Sequence, residues 1–162
     1  MMTTDVCSSM VDTSPLGVEL NDEQNAILAE LVVCRSLKDE EILIREGEIS
    51  NELHIIASGS IAVTRDTGSG DWVVLHILRA KDIAGELGFL DNLAHSATLR
   101  AVGPTEIFSL SRDRLERLID SHPMIVYRVM RAIVREVHSI LRRMNVQYVE
   151  LTNYINKQHG RY

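Results

Sequence analysis

Between Asp82 and Ala101 the chain reads Asp-Ile-Ala-Gly-Glu-Leu-Gly-Phe-Leu-Asp-Asn-Leu-Ala-His-Ser-Ala-Thr-Leu-Arg-Ala, a stretch with the residue types suited to gripping an anion. Gly85 and Gly88 bracket Glu86 and Leu87, and Phe89 with Leu90 supplies an apolar helical turn. Glycines let backbone N–H groups approach a ligand closely, and the positive end of a helix start aims the same way. A Gly-Glu-Leu-Gly tetrapeptide alone also marks ordinary turns, so the reading needs its neighbours.

No other constellation competes. Metal sites of the cupin type need His-x-His with a nearby Glu and a later His, and His54, His76, His95, His122, His138 and His159 form no such pair. Metal ligation is therefore not expected, and nothing specific makes His76 or His95 a haem ligand. Ser58-Gly-Ser60 and Ser109–Ser111 lack a His and acid partner at motif spacing, and Glu40-Glu41, Glu46 and Glu48 read as solvated turn carboxylates. A binder, not an enzyme, is expected, with no cofactor beyond a candidate small-molecule ligand.

The glycine turn has company. Gly-Glu-Leu-Gly, then His95-Ser-Ala-Thr98 and a strand, resembles the phosphate-binding cassette of the cyclic-nucleotide-binding domain family. Ile42-Leu-Ile-Arg-Glu-Gly-Glu48 resembles that family's second strand and turn, and Leu53-His-Ile-Ile-Ala-Ser-Gly-Ser-Ile-Ala-Val63 its third and fourth strands. The resemblance covers residues from about Asn21 to Pro123, and the final helix is similar to the dimerisation helix of the catabolite activator protein group. It implies that Glu86 accepts from a ribose 2′-hydroxyl, and that the N–H groups of Gly85, Glu86, Leu87 and Gly88, with Ser96 and Ala97, face a cyclic phosphate. Two positions depart from the pattern. His95 stands where the family has a phosphate-pairing Arg; a guanidinium stays charged and offers a two-donor fork, whereas an imidazole is mostly neutral at pH 7 and offers a single donor. That exchange costs about 1.5–3 kcal/mol of binding. Ile140 and Leu141 stand where dimeric members place small hydroxyl residues against the purine, and neither can hydrogen-bond a base edge.

These residues need a scaffold. Asn21 and Gln24 have capping-box spacing, so a helix starts there, with an apolar stripe at Ala26, Ile27, Leu28, Leu31 and Val32. From Val33 to Leu110, short β-branched runs alternate with turn signals: Ile42–Ile44, Leu53–Ala57, Ile61–Val63, Trp72–Leu78, Ala97–Ala101 and Glu106–Leu110. The breaks hold Glu46-Gly47-Glu48, Ser58-Gly59, Asp66–Asp71, Gly85 and Gly103-Pro104. Such spacing predicts a mainly β fold, an antiparallel jelly-roll β-barrel with flanking helices and a long C-terminal α-helix. Alternation puts His95 on one inward face with Ala97, Leu99 and Ala101. Ser111 caps a short helix carrying Leu115, Leu118 and Ile119, and Pro123 sits in the first turn of the next.

That last helix has a 3.5-residue repeat: Val126, Met130, Ile133, Val137, Ile140, Met144, Gln147, Leu151 and Tyr154, with only Gln147 polar. The apolar members predict a homodimer seam. A second stripe, Val134, Leu141, Tyr148 and Ile155, lies to one side, so one stripe covers the barrel while the other meets a partner helix. Arg128, Arg135 and Arg142 recur every seven residues as a solvated flank, with an acidic protein partner as the sharper alternative.

Composition bounds the rest. Of 162 residues, 45% are hydrophobic and 4% aromatic, so the core rests on Ile, Leu, Val and Ala. No run approaches the ~18 apolar residues of a membrane span. The net charge of −6 is uneven: residues 124–162 carry seven Lys/Arg against two Glu, which predicts a basic helix beside an acidic body. Residues 1–17 are polar, lack a secretory pattern and read as a flexible tail, with 18–123 the barrel and its flanking helices and 124–162 the dimerisation helix. Cys7 and Cys34 read as free thiols of a cytoplasmic protein. No helix-turn-helix follows the long helix, so DNA binding in cis is not expected. The expected function is a regulatory ligand-sensing module that signals through its helix. The alternative is a dimerisation or docking scaffold that has lost nucleotide binding.

Overall fold

The computed structural model describes the backbone of residues 4–159 and the side chains of residues 8–157. Among the described residues, six strands form one antiparallel sheet curled into a barrel: β1 (Val32–Leu37), β2 (Ile42–Ile44), β3 (Glu52–Asp66), β4 (Trp72–Arg79), β5 (Ile83–Ala84) and β6 (Thr98–Ser111). The main path runs β1-β6-β3-β4, with β2 on β6 and β5 on β3. This is the jelly-roll-like barrel that the strand spacing predicts.

Two predicted breaks are bends inside long strands. Leu53–Ala57 and Ile61–Val63 belong to the single strand β3, and Ala97–Ala101 runs on through Gly103-Pro104 into Glu106–Leu110 as β6. The β3–β6 register shifts on both sides of Ser58. Gly59 has φ +85°, and a Cβ there would lie 2.6 Å from the Pro104 carbonyl oxygen. The two glycine signals thus face each other across one bulge, where each long strand turns the barrel's corner without ending.

Helix α2 (Asp22–Leu31) starts on the predicted capping box: Gln24 N donates to Asn21 Oδ1 at 2.8 Å, and Asn21 N to Gln24 Oε1 at 3.2 Å. Its stripe is buried at Leu28 but exposed at Ala26. Asn25 points inward instead, donating to the Gly17 carbonyl at 3.1 Å. The segment expected to be a flexible tail holds α1 (Thr4–Asp12) and a turn whose Val11 and Leu16 are fully buried. Two apolar residues flanking the turn suffice to dock it, despite the polar composition around them. Cys34 is disulfide-bonded, which corrects its reading as a free thiol and removes that support for a reducing compartment. Cys7's side chain lies outside the described residues.

The core has two parts. Leu37, Ile44, Ile56, Ile61, Leu78, Leu99, Ala101 and Ile107 fill the barrel. A second cluster glues the helices to its outer face, with Leu28, Phe108, Leu110, Leu115 from α4 (Arg112–Glu116), and Ile125, Val129, Ala132 and Ile133 from α5 (Pro123–His159). Ser111 caps α4, accepting from Arg114 N at 3.3 Å. Leu118 packs on this cluster, while Ile119 is half exposed.

Helix α5 divides its labour along its length. Ile133, expected in the dimer seam, is fully buried against the chain's own barrel, and Val126 and Met130 pack on the same cluster. Beyond Val137 much of the apolar surface opens to solvent: Leu141, Met144, Tyr148, Leu151 and Tyr154 are each half exposed or more, and Ile155 is 46% exposed. Two members of the basic flank, Arg128 and Arg135, are engaged locally around Glu19, and Arg142 is exposed. Arg128 donates to the Glu19 carbonyl at 3.0 Å and to Gln24 Oε1 at 2.8 Å, while Arg131 and Arg135 pair with the Glu19 carboxylate.

Candidate ligand-binding site

Strand β5 delivers the glycine turn. Its pairing of His54 with Ala84 and Ile55 with Ile83 lays the turn across the start of β3. Gly85 then takes φ +84°, in the left-handed region, and a Cβ there would lie 2.7 Å from the Glu52 carbonyl oxygen and 3.4 Å from His54 Cδ2. Only glycine meets both demands. Helix α3 (Glu86–Asp91) follows, closed by Phe89 N donating to the Gly85 carbonyl at 3.0 Å. Arg112 fixes its far end, donating to Asn92 Oδ1 at 2.9 Å and to the Phe89 carbonyl at 3.4 Å.

His95 is clipped in place by its backbone, whose N–H donates to the Glu48 carbonyl at 2.9 Å and whose carbonyl accepts from Gly47 N at 2.7 Å. Its ring is buried against Gly88, where a Cβ would fall 2.9 Å from Nε2 and 2.3 Å from the Ser50 carbonyl oxygen. Ala97, Leu99 and Ala101 are buried with His95. Nε2 of His95 has no hydrogen-bond partner among the described residues, and neither has the buried Nε2 of His76 nearby.

These residues border one cavity of about 420 Å³, within the range of small-molecule sites. Gly85, Glu86, Leu87, His95, Ser96, Ala97 and Ile140 line it together. Gly88 and Leu141 do not. Gly88 supports the His95 ring from behind, and Leu141, one step of about 100° round the helix, is half exposed on another face. The wall that α5 contributes is Ile140, Arg143, Met144 and Gln147, the i, i+3, i+4, i+7 face. Two of these, Ile140 and Met144, were expected in the dimer seam. Of the two α5 residues that the resemblance implies, Ile140 reaches the cavity and Leu141 does not; the lone polar seam residue, Gln147, was the available clue to the rest of the wall. The barrel adds Val63, Leu75, His76, Leu78, Ile83, Ala84 and Leu99, strand positions that carry no motif.

Charge is distributed around this cavity. Burial raises the Glu136 carboxyl above its ordinary range, and the Asp82 and Glu86 carboxylates push the same way, while Arg143 opposes them. Beneath the turn, His54 is buried with Nδ1 2.7 Å from Ser109 Oγ. Burial first, then the charge of Arg35 and the proximity of His95, lowers its pKa to about 4. Among the described residues no cluster of three His, Cys, Asp or Glu could hold a metal ion, and no helix is long and apolar enough to cross a membrane.

Known proteins resemble this chain in sequence and fold. The chain is 30% identical over 115 residues to the "cAMP-activated global transcriptional regulator CRP" of Salmonella typhimurium, covering 70% of this chain and 55% of that protein. It is 31% identical over 94 residues to the "cAMP-dependent protein kinase regulatory subunit" of Dictyostelium discoideum, covering 56% of this chain and 29% of the relative. The chain thus spans about half or less of these curated relatives. In fold it resembles a cyclic nucleotide-binding domain from Methylobacillus flagellatus, with TM-score 0.78, 22% identity, and coverage of 91% of this chain and 83% of that one. The catabolite activator protein of Thermus thermophilus follows with TM-score 0.67, 23% identity, and coverage of 83% and 63%. The family model for the cyclic nucleotide-binding domain matches residues 34–122, more than half of the chain and the whole of the barrel's glycine turn. By that match, this chain belongs to the cyclic nucleotide-binding domain family.

Proposed function

We propose that this protein is a regulatory sensor that binds a cyclic nucleotide in the cavity between the glycine turn and α5, and passes occupancy on through α5. One observation carries the reading: a single cavity is walled by Gly85–Leu87, His95 and Ser96 on the barrel side and by Ile140, Arg143 and Gln147 on the helix side. A ligand filling it touches both elements, and binding that favours one helix position over another shifts the population between them. The phosphate meets the backbone donors of the turn, the Ser96 hydroxyl and the His95 ring in place of a guanidinium. Glu86 accepts from the ribose. The relatives named above are a transcriptional regulator and a kinase regulatory subunit, which supports a regulator over a catalyst.

The exposed half of α5 supports association of two copies through Leu141, Met144, Tyr148 and Leu151. The same exposed stripe favours the second reading, a dimerising or docking scaffold with no ligand. Isothermal titration of the full chain with cyclic AMP and cyclic GMP, beside His95→Arg, separates the two. The sensor reading expects saturable heat with the parent, tightened about ten- to a hundredfold by the substitution. No heat and no melting shift at millimolar nucleotide, for either protein, removes the nucleotide and leaves the scaffold.

A further inference from the structure

The α5 wall carries one cation that the rest of the chain does not use. Arg128, Arg131 and Arg135 are committed to Glu19 and Gln24. Arg143 is half-buried at the cavity, and among the described residues it makes no hydrogen bond or ion pair, only a longer-range attraction to Glu136. Its helical position, three residues from Ile140 and four from Gln147, keeps it on the cavity face.

Resting on the nucleotide reading above, we propose that Arg143 reads the acceptor edge of a purine base, so that the cavity selects guanine over adenine. The glycine turn and Ser96 supply the donors for the phosphate, which leaves the α5 wall to the other end of the ligand. A guanidinium has five N–H donors and no acceptor. Guanine presents two adjacent acceptors, N7 and O6, and takes such a fork in both; adenine presents N7 beside the N6 amino donor, which repels it. Ile140 and Met144 line the same wall with apolar surface that packs on a ring but cannot choose between bases. The Gln147 amide both donates and accepts, so it fits either base and adds no preference.

Titration of the full chain with cyclic GMP, cyclic IMP and cyclic AMP tests this, together with Arg143→Met, which keeps an apolar stem of similar reach. Cyclic IMP keeps O6 and N7 and lacks only the 2-amino group. The expected result is that cyclic GMP and cyclic IMP bind alike and roughly ten- to a hundredfold more tightly than cyclic AMP. Arg143→Met abolishes the gap, so that cyclic GMP and cyclic IMP bind that variant no more tightly than cyclic AMP does. Equal or tighter binding of cyclic AMP to the parent overturns the base preference alone. So does cyclic IMP following cyclic AMP, because the 2-amino group is then what is read. An equal loss for all three nucleotides in Arg143→Met also overturns it, by placing the guanidinium on the phosphate. Binding of none of the three overturns the nucleotide reading itself, and this inference with it.

Discussion

The barrel accepts His54 only as a neutral ring. Its exposure is 2%, its Nδ1 is satisfied by Ser109, and its pKa is lowered to about 4 from 6.5. The unfolded chain takes up a proton at this site below pH 6.5, whereas the native state resists it until about pH 4. Stability from His54 is therefore full above pH 6.5, falls as the pH drops through this window, and stops falling below about 4. Complete passage through it is worth about 3 kcal/mol. Urea titrations at pH 7 and pH 4.5 should show His54→Gln losing about 2 kcal/mol less than the parent between the two conditions. An equal loss in both proteins would mean that the ring is solvated. The sequence showed His54 only as one of six scattered histidines, because burial is set by β3 and β6 pairing across 55 residues. His95 does line the pocket, although it precedes β6 and strand alternation does not reach it; its backbone bonds to Gly47 and Glu48 place it instead. Its contact with Gly88 was not legible in the sequence, since that depends on the fold of the loop between them.

At the scale of elements, α5 is two helices in one. Its first three turns are core, so Ile133→Ala should cost about 2–5 kcal/mol by loss of apolar burial and the cavity left behind. Leu151→Ala, on the exposed half, should shift the stability of the isolated chain by less than about 0.5 kcal/mol. Chemical denaturation of both variants at low concentration checks the contrast; equal costs would place the second half of α5 against the barrel too. The heptad pattern revealed the helix and its apolar face, yet it could not say which turns face the chain's own barrel. A 3.5-residue seam and a 3.6-residue core stripe coincide over the first few turns and diverge only beyond them. The glycine punctuation misled in a related way. Gly59 and Gly103 were read as strand ends, but a bulge and a break use the same residue, and only the pairing partner distinguishes them. The capping box at Asn21, the Ser111 cap and the Pro123 start were legible because each closes within four residues.

For the whole molecule, the question is what covers the far half of α5. Association through Leu141 and Leu151 predicts a dimer at micromolar concentration by sedimentation, and Leu141→Asp with Leu151→Asp should give a monomer whose melting temperature at low concentration is unchanged. A parent that sediments as a monomer throughout would leave the stripe to a different protein. The charge asymmetry acts at this scale as well. The basic helix lies on an acidic body, and Glu19 gathers three arginines at the junction where α5 meets the helical layer.

From Ile140 at the cavity wall to His159, α5 extends by about 28 Å at 1.5 Å per residue. The helix is held at its base by core packing and the Glu19 cluster, and its later turns carry mostly exposed side chains, which makes it a pointer mounted on a pivot. A tilt of about 5° at the cavity displaces the tip by roughly 2.5 Å on this geometry, about half a helical turn. On the proposed sensor reading, a ligand that moves Arg143 by a fraction of an ångström would write its presence in ångströms at the other end of the rod, far from any atom it touches.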